Sequence, residues 1–91
     1  MMRLICKKHF TSILFLLLES PKSFNELLRI LKAYPDTLAK RIRELSELGL
    51  IVRDGSDGRL KYRLTDKGIR VAELVKEIEE IIERIEEVIG D

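Results

Sequence analysis

The chain has 91 residues, 45% of them apolar and 36% charged, with a formal net charge of +1. That length suits one small domain, which buries roughly 60 to 65% of its surface on folding, and the composition excludes a disordered or low-complexity chain. The lone cysteine, Cys6, excludes an internal disulfide and fits a reducing cytoplasm.

The small net charge hides an asymmetry. Residues 1–70 hold 15 Lys and Arg against 8 Asp and Glu, whereas residues 71–91 hold 2 against 8. A basic body with an acidic tail raises the question of a polyanionic partner. The chain has no Gln, one Asn and abundant Ile, Glu, Lys and Arg. That is the bias of heat-adapted proteins and suggests a thermophilic source.

Residues 4–19 read as a first helix, apolar on most faces from Phe10 onward. Basic residues followed by an apolar run also mimic a signal peptide, but no small-x-small cleavage site follows Leu18. The run is far shorter than the ~20 residues of a membrane span, so a buried helix is expected and no membrane partner. Ser20-Pro21 ends it, because the residue before proline avoids helical geometry. Ser23-Phe24-Asn25-Glu26 is a capping box that opens a second helix, with Phe24, Leu27, Leu28 and Leu31 on its apolar face.

About three residues later a third helix starts at Pro35, a residue favoured at the first helical position. Leu38, Ile42, Leu45 and Leu48 share one face, and Gly49 ends the helix. Leu50 to Asp54 and Arg59 to Leu64 read as two strands around the turn Gly55-Ser56-Asp57-Gly58. Leu60, Tyr62 and Leu64 are expected to face the core, which places Arg59, Lys61 and Arg63 together on the other face, with Arg53 nearby. A last helix capped by Thr65 runs to about Ile89.

The order helix, helix, helix, strand, strand, helix predicts an α+β, mostly α, winged helix-turn-helix fold. Residues 1–65 form the DNA-binding part and residues 66–91 a long C-terminal dimerisation helix, within one compact domain. In such a fold the second helix of the pair enters the major groove. Turning Leu38, Ile42 and Leu45 inward nominates Thr37, Lys40 and Arg41 as base readers and Arg43 as a phosphate contact. Arg53, Arg59, Lys61 and Arg63 form a basic wing. Like charges gathered on a small hairpin repel unless a polyanion neutralises them, and phosphates would serve. The alternatives are edge-strand protection by Lys and Arg, a protein-interaction module whose basic face meets an acidic protein, and a nonspecific chromatin-like binder.

The last helix carries its own message. Val71, Ile78 and Ile85 fall at heptad position a, Leu74, Ile81 and Val88 at d, and Val75, Ile82 and Ile89 at e. An apolar stripe this wide, on a helix about 35 Å long at 1.5 Å per residue, exceeds what so small a domain can cover. The remainder is expected to pack against a second copy about a two-fold axis. Two recognition helices would then lie about 34 Å apart, one turn of DNA.

Several pieces resemble the HxlR-type transcriptional regulators within the broader MarR- and PadR-like winged helices. They are Cys6, Phe24 to Arg29, Tyr34-Pro35 with Leu38 and Ile42, Glu44-Leu45 with Gly49 to Arg53, and Tyr62 to Gly68. The tryptophan usual in helix one of that family is absent, and the wing turn is short. The resemblance implies a homodimer that binds a palindromic operator in double-stranded DNA, often as a repressor.

No catalytic triad pattern and no glycine-rich phosphate loop occur, so no enzyme and no cofactor are expected. Cys6 and His9 lie three apart in the expected first helix. They are two potential ligands where structural zinc takes four, and no metal site is expected.

Overall fold

The computed structural model describes residues 6–55 and 59–90. Its elements are α1 (Phe10–Glu19), α2 (Phe24–Leu31), α3 (Pro35–Glu47), β1 (Ile51–Asp54), β2 (Lys61–Leu64) and α4 (Asp66–Gly90). The expected order is therefore present. The tip of the wing turn, residues 56–58, lies outside the described residues, as does the segment before Cys6.

Helix α1 begins at Phe10, where the apolar run begins, and not at residue 4 as expected. Residues 6–9 form a turn, and His9 takes the left-handed conformation at φ 68° immediately before Phe10. That conformation is unfavourable for a residue with a β-carbon and breaks the helical register. Cys6 and His9 consequently do not share a helix face. Among the described residues no group of three or more His, Cys, Asp or Glu side chains could hold a metal ion.

Helix α2 opens with the capping box read in the sequence. Ser23 Oγ accepts from the Glu26 amide at 3.1 Å, and Glu26 Oε1 accepts from the Ser23 amide at 2.8 Å. It closes at Lys32 (φ 52°), where the Ala33 amide reaches back to the Leu28 carbonyl at 3.3 Å. Helix α3 follows after Tyr34 and closes at Gly49 (φ 76°), with the Leu50 amide donating to the Leu45 carbonyl at 3.0 Å. These two closures give the tight helix-turn-helix corner and the sharp entry into β1.

The strands pair antiparallel, Ile51 with Leu64 and Val52 with Arg63. Lys22, between α1 and α2, adds a one-residue third strand on the other edge of β2. It exchanges two backbone hydrogen bonds with Tyr62, at 3.1 and 2.8 Å. Nothing periodic in the sequence announces this bridge. Its trace is Pro21, which leaves the chain extended before the Ser23 cap.

The core is wholly apolar. Phe10, Ile13, Leu14 and Leu17 of α1 meet Leu27, Leu38, Ile42 and Leu45 of the helix pair, Ile51 and Leu64 of the sheet, and Ala72 and Val75 of α4. Burial of this set, at roughly 1.5 to 3 kcal/mol per large side chain, is what holds the helices at their angles. One inward assignment fails: Leu60 is 61% exposed. It precedes the paired part of β2, and the strand has by then run past the edge of the core. Alternation fixes which face a residue occupies but not whether anything covers that face.

Candidate nucleic-acid interface

Helix α3 is held by its apolar face, with Leu38, Ile42 and Leu45 buried. The geometry of 3.6 residues per turn then forces Asp36, Lys40, Arg43 and Glu47 to the outside, and all four are exposed. Thr37 is half-buried beside them. Lys40 and Arg43 thus stand as exposed cations on the helix that follows the tight turn. Tyr34, just before Pro35, is 78% exposed at the same end.

Arg41 is placed differently from the sequence expectation. Its side chain is only 11% exposed. Its guanidinium forms an ion pair with Glu44 one turn on, and its Nε donates to the Lys8 carbonyl at 3.1 Å. Lys7 Nζ donates to the other Glu44 oxygen at 2.6 Å. Glu44 therefore ties the turn before α1 to the flank of α3, and Arg41 is a brace within that tie. The Lys7 ammonium, with Arg41 second, holds the Glu44 carboxyl below the usual glutamate range, against an opposing push from burial. Close by, burial lowers the pKa of His9, and the charges of Lys8 and Arg41 lower it further. Neither tie was visible in the sequence, because the partners lie 33 and 37 residues apart.

The wing is also more structured than a row of like charges. The pairing register puts Val52 and Asp54 on the face of Lys61 and Arg63, and puts Arg53 on the face of Tyr62. Asp54 Oδ2 accepts from Arg63 Nε at 3.2 Å. Repulsion between Lys61 and Arg63 is thus offset in part by an acid on the opposite strand. Arg53, Arg59 and Arg63 are exposed and Lys61 is half-buried. The structure brings Lys61 and Arg63 together and leaves Arg53 on the other side of the hairpin.

Helix α4 divides into two parts. Val75 is 3% exposed and Val71 is half-buried, both packed within the chain's own core. Their place on the apolar stripe is explained by α1, with no second copy needed. Beyond them Leu74, Ile78, Ile81, Ile82, Ile85, Val88 and Ile89 are exposed, Val88 to 84%. No described helix is long and apolar enough to cross a membrane.

A helix-turn-helix pair, a wing and a long final helix define a winged helix-turn-helix regulatory domain. The chain belongs to the family of the N-terminal domain of the methanogenesis regulatory protein FilR1, whose model matches residues 4–86. No curated protein sequence matches it. Among solved structures, a point mutant of Lactococcus lactis ZitR superposes with a TM-score of 0.73 at 25% identity, covering 89% of this chain. The chain spans 58% of that ZitR chain. A possible HxlR family transcriptional factor from Thermoplasma volcanium gives 0.76 at 23% identity, over 94% of this chain and 81% of the other. The homodimeric winged helix-turn-helix DNA-binding domain of Mb0332 from Mycobacterium bovis, a possible ArsR-family regulator, gives 0.74 at 19% identity, over 93% and 78%. The fold is the one these proteins share.

Proposed function

We propose that the chain binds double-stranded DNA as a homodimer and regulates transcription, as a repressor at a palindromic operator. The observation that carries this reading is the pair of exposed cations Lys40 and Arg43 on α3, beside a basic wing, in a domain whose family is regulatory. Helix α3 lies in the major groove with Thr37 and Lys40 toward the bases, and Arg43 meets a phosphate. Arg53, Arg59, Lys61 and Arg63 meet the backbone or minor groove from the wing. Arg41 acts indirectly, by fixing the flank of α3. The exposed stripe from Leu74 to Ile89 joins two copies. A two-fold dimer requires a two-fold operator, and the acidic outer face of α4 stays away from the phosphates. The homodimeric DNA-binding domain of Mb0332 supports the assembly.

Fluorescence anisotropy with a labelled mixed-sequence duplex tests the reading. Six or more phosphate contacts per dimer should weaken binding about a thousandfold between ~50 and ~200 mM salt. No binding at low salt by folded protein would overturn it, and the basic wing would then belong to a protein partner or to edge protection.

A further inference from the structure

Resting on the DNA-binding reading above, we propose that the turn before α1 is a third part of the DNA interface: Lys8 meets a backbone phosphate beside α3, and Arg41 is the residue that positions it there.

The flank of α3 gives the first reason. A helix with its side chains is about 10–12 Å across and the major groove is about 12 Å wide. A helix lying in that groove therefore has phosphates along both flanks. Arg41 and Glu44 occupy one flank of α3, one helical turn apart and half-buried. Arg41 is poorly placed to meet a phosphate itself, because its side chain is only 11% exposed and its guanidinium is engaged on Glu44. The N-terminal turn is laid against it, with the Lys8 carbonyl accepting from Arg41 Nε at 3.1 Å. Lys8 is exposed. The role that helical angle alone would give to Arg41 passes to Lys8.

Charge gives the second reason. Three cations gather at this corner, Lys7, Lys8 and Arg41. Glu44 pairs with two of them, with Lys7 at 2.6 Å and with Arg41. Lys8 pairs with no carboxylate among the described residues. The surplus is felt next door: burial lowers the pKa of His9, and the charges of Lys8 and Arg41 lower it further. A positive corner with one carboxylate for three cations attracts a polyanion and gains from the counterions that the polyanion releases.

The backbone gives the third. Lys8 does not sit on a loose end. The Phe10 amide donates to the Lys7 carbonyl at 3.1 Å, and the Ile13 amide donates to the His9 carbonyl at 3.0 Å. His9 is held at φ 68°, a conformation that a residue with a β-carbon keeps only where its surroundings over-determine it. The two ties from α3, Glu44 to Lys7 and Arg41 to Lys8, supply that constraint. A cation whose backbone is already fixed loses less freedom when its phosphate arrives.

Anisotropy titrations of the full chain against duplex DNA at several salt concentrations test the proposal. Lys8→Ala removes an exposed side chain, so the fold should survive it. It should lower the slope of log K against log salt by about 2 for a dimer, one contact per protomer, and weaken binding to every duplex alike. Lys76→Ala removes the same charge from an exposed place on α4 and should leave the slope unchanged. Arg41→Lys keeps the charge but loses the planar fork that reaches Glu44 and the Lys8 carbonyl together. It should weaken binding at least about threefold in the parent and show little further loss in the Lys8→Ala background. A parent that binds with steep salt dependence and a Lys8→Ala variant with the same slope would overturn the contact while leaving the DNA reading intact. Equal falls in slope for Lys8→Ala and Lys76→Ala would also overturn it, because net charge alone would then explain both. An Arg41→Lys loss of equal size in both backgrounds would overturn the positioning role and leave Arg41 acting on α3 alone. A folded parent that binds no duplex at low salt overturns the DNA reading and this inference with it.

Discussion

A β-carbon on Gly68 would lie 2.0 Å from the carbonyl oxygen of Leu50. The close approach has a cause. The Thr65 amide donates to that same Leu50 carbonyl at 3.0 Å, and Thr65 Oγ1 donates to the Gly49 carbonyl at 2.6 Å while accepting from the Gly68 amide at 3.0 Å. The first turn of α4 is thereby drawn onto the corner where α3 becomes β1. This contact fixes α3, the wing and α4 relative to one another.

Gly68→Ala is therefore expected to destabilise the domain by about 3 kcal/mol or more, because backbone rather than a side-chain tip must move. Chemical denaturation gives the test. A loss below about 1 kcal/mol, the ordinary range for a neutral substitution, would show that the corner can open without breaking the core. The Thr65→Ala variant should lose about 1 kcal/mol, the usual worth of a helix cap.

The architecture was largely legible because its signals are local. Ser23 and Glu26 are three residues apart, Gly49 follows its helix directly, and Thr65 precedes α4. What escaped was non-local or depended on cover. The left-handed turn at His9 delays a helix expected from residue 4, and the residues before Phe10 give no warning of it. Lys22 pairs with Tyr62 across forty residues without any periodicity of its own. Arg41 reads as an outward cation by helical angle, yet its partners come from the turn before α1. Val75 and Ile82 occupy the same heptad position, and only the structure tells that α1 covers the first and not the second.

Acid should act through Glu44. Its folded pKa is depressed, first by Lys7 and then by Arg41. A depressed carboxyl stabilises the fold fully above its unfolded pKa, about 4.3. That contribution is lost as pH falls from there through the lower folded value. Melting temperature should thus decline below about pH 4.5, and Glu44→Gln should flatten part of that decline. At pH 7 the same variant should cost about 1 kcal/mol, because Lys7 and Arg41 lose the shared negative charge and one of its two acceptor oxygens while remaining partly exposed. An unchanged melting temperature at pH 7 would show that the tie between the N-terminal turn and α3 contributes nothing.

His9 acts in the same direction at higher pH. Its pKa is lowered by burial and by Lys8 and Arg41, so the folded state favours the neutral ring. Its contribution is complete above the unfolded pKa of about 6.5 and falls as pH drops below that value. His9→Asn removes the titration and suits the left-handed backbone, where Asn is better tolerated than most residues. The variant should be at least as stable as the parent and should lose the pH dependence that sets in below about 6.5. Persistence of that slope would assign it to another group.

The wing offers a prediction whose two halves have opposite signs. Arg63 divides its charge between Asp54 at 3.2 Å and whatever the wing faces. Under the DNA reading, Arg63→Ala removes one phosphate contact per protomer. The salt dependence of a dimer should then fall by about 2 in the slope of log K against log salt. Asp54→Asn removes an acid from the same face and leaves Arg63 without a competing carboxylate there. Binding should tighten, by about threefold to tenfold at low salt, since one negative charge per protomer no longer opposes the backbone. Asp54→Asn also weakens the hairpin slightly, because Lys61 and Arg63 then repel without compensation. Affinity and stability should therefore move in opposite directions in this one variant. Edge protection predicts no change in DNA affinity from either substitution, so an anisotropy titration of both separates the two roles of the wing.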